Sequence, residues 1–216
     1  LNKYFLEYRY GMDPENVDII YGNGTSTRNA LAGDNTDWLA LKNYVETHDL
    51  SNPDNYAVVE NWVDIQNYID YVICEIYVGN TDTGNIKQYR EKTEGGKWRW
   101  MYYDVDWSFV NSHLTDNDIA EYIDPNGHSH HDLFDTWLIC GLMENEGFKQ
   151  QFIERFAYHI NVTFAPQRVV ERIDEIAGTI DSEMPLDRET WNARFEDTPG
   201  WYKQALGSSS ARAMSY

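Results

Sequence analysis

Residues 77–109 read YVGNTDTGNIKQYREKTEGGKWRWMYYDVDWSF, and the reading of the whole chain turns on them. The stretch opens with a loop in which an acid and an amide, Asp82 and Asn85, stand three residues apart. Two short β-type runs joined by a tight turn follow, and then a second acidic pair, Asp104 and Asp106. In the first run Asn85 and Lys87 are two apart, so the alternation of a strand puts both side chains on one face. The second run, residues 97–104, is rich in aromatics, and Thr93-Glu94-Gly95-Gly96 before it is a glycine-containing hairpin turn. A hairpin brings its open ends together, which places Asp82 and Asn85 close to Asp104 and Asp106. Three carboxylates and an amide, with Lys87 beside them, form a hard-oxygen site with one cation. That donor set suits magnesium or manganese, and magnesium in particular takes one or two carboxylates and completes its shell with water and substrate phosphates. Negative charge this dense calls for cations and a polyphosphate to neutralise it.

The order of acid, two residues, amide, β-hairpin, then acid followed by an aromatic resembles a protein-kinase catalytic loop running into its metal-binding loop. More specifically, GNTDTGNIKQYREKTEGGKWRWMYYDVDWSF resembles the signature of the spore coat protein H (CotH) kinase family, atypical kinase-like proteins found in spore coats and as secreted or cell-surface bacterial proteins. The similarity extends more weakly to LEYRYGMDPENVDIIYGN, to the helix start LAGDNTDW and to LICGLMENEGFKQQFIERFAYHIN. It is carried by Asn80, Thr81, Asp82, Asn85, Ile86 and Lys87, and by Asp104 and Asp106. The chain departs from the family at Trp107-Ser108, where Phe-Gly is favoured. An aromatic there keeps the packing role, and a serine restricts the backbone more than glycine does.

The resemblance implies an α+β, mostly helical fold: the C-terminal lobe of a protein kinase, with a small β-hairpin carrying the metal-binding acids. It implies transfer of the γ-phosphoryl group of ATP, with magnesium or manganese, to a serine or threonine hydroxyl of a protein. It also implies an extracellular, cell-surface or spore-coat location in a bacterium. Carried over residue by residue, Asp82 orients or deprotonates the nucleophile, Asn85 with Asp104 and Asp106 holds the metal, and Lys87 steadies a phosphate. Spacing leaves open which of Asp104 and Asp106 is the main ligand: both are expected on one strand face, while Asp106-Trp107-Ser108 resembles the Asp-Phe-Gly order directly. Each residue also has a plainer reading. Asp82 in Thr-Asp-Thr-Gly forms turns through its own carboxylate, Asn85 is a turn amide, and Lys87 pairs with a surface glutamate. Asp104 and Asp106 are harder to explain away, because acids are depleted in strands.

Composition bounds these readings. With 216 residues and 42% hydrophobic content the chain buries a real core and forms one large domain or two small ones. The expectation is one CotH-like kinase domain over residues 1–216, mainly its C-terminal lobe. No glycine-rich phosphate cover and no strand lysine paired with a helix glutamate precedes Asp82, and Lys3 and Lys42 lie in helix-like, solvated contexts. A net charge of −19 repels nucleic acid and anionic membranes and favours a basic protein or peptide substrate. No apolar run is long enough to span a membrane, and no signal peptide is visible at the start of the chain. Cys74 and Cys140 read as two buried free thiols. Two other function classes fit the same composition. One is a non-catalytic pseudokinase or structural coat or cell-surface module. The other is a secreted carbohydrate-associated module, which the acidic charge with 8 Trp and 16 Tyr allows and which an exposed aromatic platform would mark.

Along the chain, residues 1–10 read as a short helix and 17–21 as a strand before a Gly22-Asn23-Gly24 turn. Asp34-Asn35-Thr36-Asp37 opens a helix with Trp38, Leu41 and Val45 on one face, and Ser51-Asn52-Pro53-Asp54 opens the next. Over 63–78 the apolar positions Ile65, Tyr68, Ile69, Val72, Ile73 and Ile76 recur at helical spacing, giving a core helix that feeds the catalytic loop. Residues 115–123 suit a short acidic helix, and His128, His130, His131 and Asp132 a solvated loop rather than a zinc site. Helices follow over 133–142, 146–158 and 166–184, the last with Val169, Val170, Ile173, Ile176 and Ile180 facing a core. Trp191, Phe195, Trp201 and Tyr202 are expected to pack the final helices, and 207–210 to be mobile.

Overall fold

The expected hairpin forms, and two earlier strands extend it into a four-stranded antiparallel sheet. The computed structural model describes residues 2–22, 29–80, 85–105, 108–109, 117–123 and 136–195, with the backbone alone for 121, 188 and 191–195. Strands β1 (Val17–Gly22), β2 (Asn29–Ala32), β3 (Ile86–Glu91) and β4 (Arg99–Met101) lie in the order β2-β1-β3-β4. Between β3 and β4 the amide of Gly96 donates to the Thr93 carbonyl at 2.9 Å, closing the turn read from Thr93-Glu94-Gly95-Gly96. The wider sheet arises because β1 pairs with β3 from Val17↔Glu91 to Gly22↔Ile86, a contact across some seventy residues that no local pattern encodes.

Helices supply most of the remaining described structure, so the fold is α+β and mostly helical. They are α1 (Lys3–Tyr10), α2 (Thr36–Thr47), α3 (Pro53–Trp62), α4 (Ile65–Val78), α5 (Asp118–Ile123), α6 (Thr136–Leu142), α7 (Glu146–Tyr158), a π-helical turn (His159–Thr163), α8 (Pro166–Ile180) and α9 (Met184–Phe195). The chain divides into two compact units, Leu1–Trp107 with Asn117–Arg155, and Ser108–Asp116 with Phe156–Tyr216.

In the first unit both faces of the sheet are covered, which is why β1 is buried along nearly its whole length. On one face Leu6 of α1 packs against Val17, Ile19 and Tyr89. On the other, Trp100 lies 4.3 Å from Tyr68 of α4 and 5.8 Å from Trp38 of α2, ring centre to ring centre. Trp38, Leu41 and Val45 are the buried positions of α2, as their spacing requires. In α3 the Asn52 side chain accepts from the Asp54 amide at 2.9 Å with Pro53 in the first turn. Helix α4 buries all six apolar positions read from its sequence.

An ion network ties the sheet to α2. Asp18, 1% exposed, accepts from Arg90 Nε at 3.1 Å and Nη2 at 3.0 Å, and Lys92 Nζ stands 3.3 Å away. Arg90 also binds Asp37 in the first turn of α2, and Lys92 binds Asp34 at 3.0 Å. Gly33 turns the chain beside this cluster with φ 63°. A Cβ there would stand 2.0 Å from the Asp18 carboxylate and 2.6 Å from the Val17 carbonyl, so only glycine fits.

Four expectations are corrected. The second β run is shorter than 97–104: β4 is Arg99–Met101, and Asp104 lies beyond it in the left-handed region at φ 56°, so Asp104 is not on a strand face. Aspartate is among the few side chains that tolerate this conformation. The helix expected over 166–184 ends at Ile180 and a new one starts at Met184. In the second unit α8 buries none of its residues: Val169, Val170 and Ile173 are half-buried, and Ile176 is 52% exposed. The apolar stripe forms as the period requires, but amphipathicity does not by itself provide a partner. Finally, Cys74 and Cys140 are free but half-buried. Residues 124–135, with the three histidines and Asp132, lie outside the described residues, as do Trp201, Tyr202, 207–210 and the side chains of Trp191 and Phe195.

Candidate functional site

Helix α4 delivers the chain to the candidate loop and fixes the last residue before it. Its start is capped by Asp64, which accepts from the Asn67 amide at 3.1 Å. Its end is closed by Gly79 at φ 57°, whose amide donates to the carbonyls of Glu75 and Ile76. Asn80 follows, buried, with its Nδ2 donating to Glu75 Oε2 at 2.9 Å. Glu75 is itself buried in the last turn of α4, where the negative end of the helix dipole disfavours an acid. Burial, with the charges of Asp70 and Glu75 adding to it, pushes the neighbouring Cys74 thiol up to about 12. Asp82 lies outside the described residues, which resume at Asn85, half-buried and one residue before β3.

The sheet register sets what surrounds Lys87. Tyr21 of β1 and Met101 of β4 stand opposite it on either side, so the three side chains form one row on the α1 face of the sheet. The Lys87 ammonium lies 5.7 Å from the centre of the Tyr21 ring and 4.6 Å from that of Tyr103. Both fall within the range of a cation–π contact. No described glutamate or aspartate pairs with it, so the surface-glutamate reading of Lys87 does not hold among the described residues. Continuing the register from Lys87↔Met101 carries Asn85 and Tyr103 to the same open end of the hairpin.

Asp104, next after Tyr103, is solvent-exposed. Asp106 and Trp107 lie outside the described residues, and no group of three or more His, Cys, Asp or Glu with metal-holding geometry occurs among the described ones. In the second unit Ser108 is not in the left-handed region, so serine in place of glycine carries no φ strain there; Phe109 is the left-handed residue, at φ 56°. The Ser108 hydroxyl is buried without a hydrogen bond. Among the sequence-derived residues, then, Asn85 and Lys87 are brought to one end of the hairpin, with Asp104 following Tyr103. The ring pair around Lys87 is new. Its only sequence signal was the aromatic bias of the strands, which could not name Tyr21 as the partner.

Helix α4 thus leads through Asn80 into the loop, and the hairpin that follows carries Lys87 and, past its second strand, Asp104. The chain matches the family described as CotH kinase protein over residues 4–209, and it belongs to that family. Comparison with curated proteins and with solved structures returns no match.

Proposed function

We propose that the chain carries the site of a magnesium- and ATP-dependent protein kinase that phosphorylates serine or threonine hydroxyls, outside the cell or on a spore coat. The observation that carries this reading is Lys87: in a chain of net charge −19, this half-buried lysine faces two rings, and no carboxylate of the described residues pairs with it. Among the described residues its N–H donors are left for an anion. The family match supports the same reading.

In this reading Asp82 accepts the proton of the attacking hydroxyl or orients it, and Lys87 binds a phosphate oxygen. Asn85, Asp104 and Asp106 offer oxygen ligands of the kind magnesium takes, and the bound ion would neutralise phosphate charge. The fit rests on the donor chemistry of Asn85 and exposed Asp104. Catalysis is then mostly placement and charge stabilisation, since phosphoryl transfer asks little covalent help of the protein. A basic substrate segment is drawn to the acidic surface. Asp82→Ala is expected to abolish phosphoryl transfer to a basic Ser/Thr peptide while leaving the circular dichroism spectrum and melting temperature unchanged. Transfer retained by that variant would remove Asp82 from its role.

A second reading draws on one observation. Helix α1 exposes Tyr4, Phe5, Tyr8 and Tyr10, with Tyr8 at 91%. Such a platform suits sugar rings. Binding to an insoluble polysaccharide that is lost in Tyr4→Ala/Tyr8→Ala would favour a carbohydrate-associated module.

A further inference from the structure

The lysines of the described residues divide into two kinds. Lys3, Lys42, Lys92 and Lys149 each lie within ion-pair distance of a carboxylate, and Lys97 is exposed at the hairpin turn. Lys87 alone among them lies against two aromatic rings, 4.6 Å from Tyr103 and 5.7 Å from Tyr21, and pairs with no carboxylate of the described residues, whereas Lys3, which also meets a ring (Tyr4, 5.4 Å), is held by Glu15. The two rings come from different parts of the chain. Tyr21 belongs to β1 and faces Lys87 across the sheet, whereas Tyr103 follows β4 by two residues.

The physical consequence differs from that of an ion pair. A carboxylate would hold the ammonium but also neutralise it, and an incoming phosphate would have to displace that partner. A ring face attracts the cation through its quadrupole and restrains the four-carbon stem, yet it accepts no strong hydrogen bond. Among the described residues the ammonium therefore stays unneutralised, restrained by the two rings and with its N–H donors open. Preorganisation of this kind raises affinity by removing the ordering cost at the moment of binding. The alternative for an untethered lysine here is to swing toward Asp104 or another acid of this acidic chain.

We propose that Tyr21 and Tyr103 are positioning residues that hold the Lys87 ammonium unneutralised at the open end of the hairpin, where it meets the phosphates of a polyphosphate. This rests on the reading of Lys87 as a phosphate contact and deepens it. It also gives β1 a part in the site beyond completing the sheet.

Inorganic tripolyphosphate with magnesium isolates the phosphate contact from any base or sugar recognition. In the full chain labelled with 13C, the Lys87 ε-methylene resonance is expected upfield of the other lysines through the ring currents of both tyrosines, and to move as tripolyphosphate is added. Tyr21→Leu and Tyr103→Leu should return it toward the position of an exposed lysine and weaken tripolyphosphate binding about three- to tenfold, the scale of a cation–π restraint. Tyr21→Phe and Tyr103→Phe keep the ring and should stay within about twofold of wild type. Lys87→Met should weaken binding by about tenfold or more, as loss of a charge-assisted contact does. Leucine variants that lose the ring-shifted signal but bind as wild type does would overturn the positioning role while leaving the phosphate contact standing. So would a wild-type resonance that shows no ring shift, which needs no variant to fold. Wild type and Lys87→Met binding tripolyphosphate equally, or neither binding it, would overturn the phosphate reading itself, and the positioning role with it.

Discussion

Asp18 gathers several charge contacts at a buried position, and they bear on stability rather than chemistry. It accepts two bonds from Arg90 and one from the Asp34 amide at 2.9 Å, with Lys92 close by. Removing it leaves a largely buried guanidinium with Asp37 as its one remaining carboxylate among the described residues and strands an amide, a situation that costs about 3–5 kcal/mol. Asp18→Ala is therefore expected to lower the urea midpoint by an amount in that range. Glu15→Ala, which breaks the exposed pair with Lys3 at 2.6 Å, should cost no more than about 1 kcal/mol. Equal losses in the two variants would mean that the network is no better insulated than a surface pair. None of this could be read from VDIIYG, because Arg90 and Asp34 reach Asp18 through strand pairing and a turn. The same limit hid the Tyr21–Lys87–Tyr103 arrangement. What the sequence did carry at this scale were residue types whose chemistry is local, such as the Asn52 cap with Pro53 in the first turn of α3, whereas Asp104, read on a strand face, turned out to lie beyond the strand.

Helices α4 and α8 show why one periodicity led to two outcomes. Both place apolar residues at helical spacing, and both helices form. In α4 the stripe is broad enough to leave almost no polar face, and the sheet, α5 and the aromatic cluster close over it. In α8 polar and charged residues fill the rest of the surface, and the stripe stays half-open. A hydrophobic period reports that a face can be buried, and what buries it is a tertiary matter. Ile73→Ala, at a fully buried position, should cost about 2–5 kcal/mol, and Ile176→Ala less than about 1 kcal/mol, both measured by urea denaturation. A large loss at Ile176 would show that the stripe is packed in solution. The hairpin was legible for a different reason: its turn residues and aromatic strands are contiguous. Strand β1 was legible too, read at 17–21 and found at Val17–Gly22, whereas β2 was not, since it is only Asn29–Ala32 and carries no apolar alternation.

Across the molecule, protonation sets the range of stability. Burial pushes Tyr89 up to about 12 from 10.0 and Cys74 up to about 12 from 9.0, and raises Tyr122 as well. The unfolded chain loses these protons first, so the contribution is complete below about pH 9 and is lost as pH rises toward 12. Asp34 is held low by the Thr36 hydroxyl and amide and by Lys92, and Asp49 by Ser51, so their contribution is present above the unfolded value of 3.8 and fades as pH falls. The melting temperature at constant ionic strength is expected to hold level between about pH 5 and 8.5 and to fall steeply above about 9.5. A level curve to pH 11 would contradict the burial of these groups. The central claim is a magnesium-dependent ATP site, and calorimetric titration of ATP into the chain, with and without magnesium, addresses it directly. The account predicts binding that requires the metal and is lost in Asp104→Ala or in Asp106→Ala. ATP binding that is indifferent to magnesium and to both substitutions would contradict it.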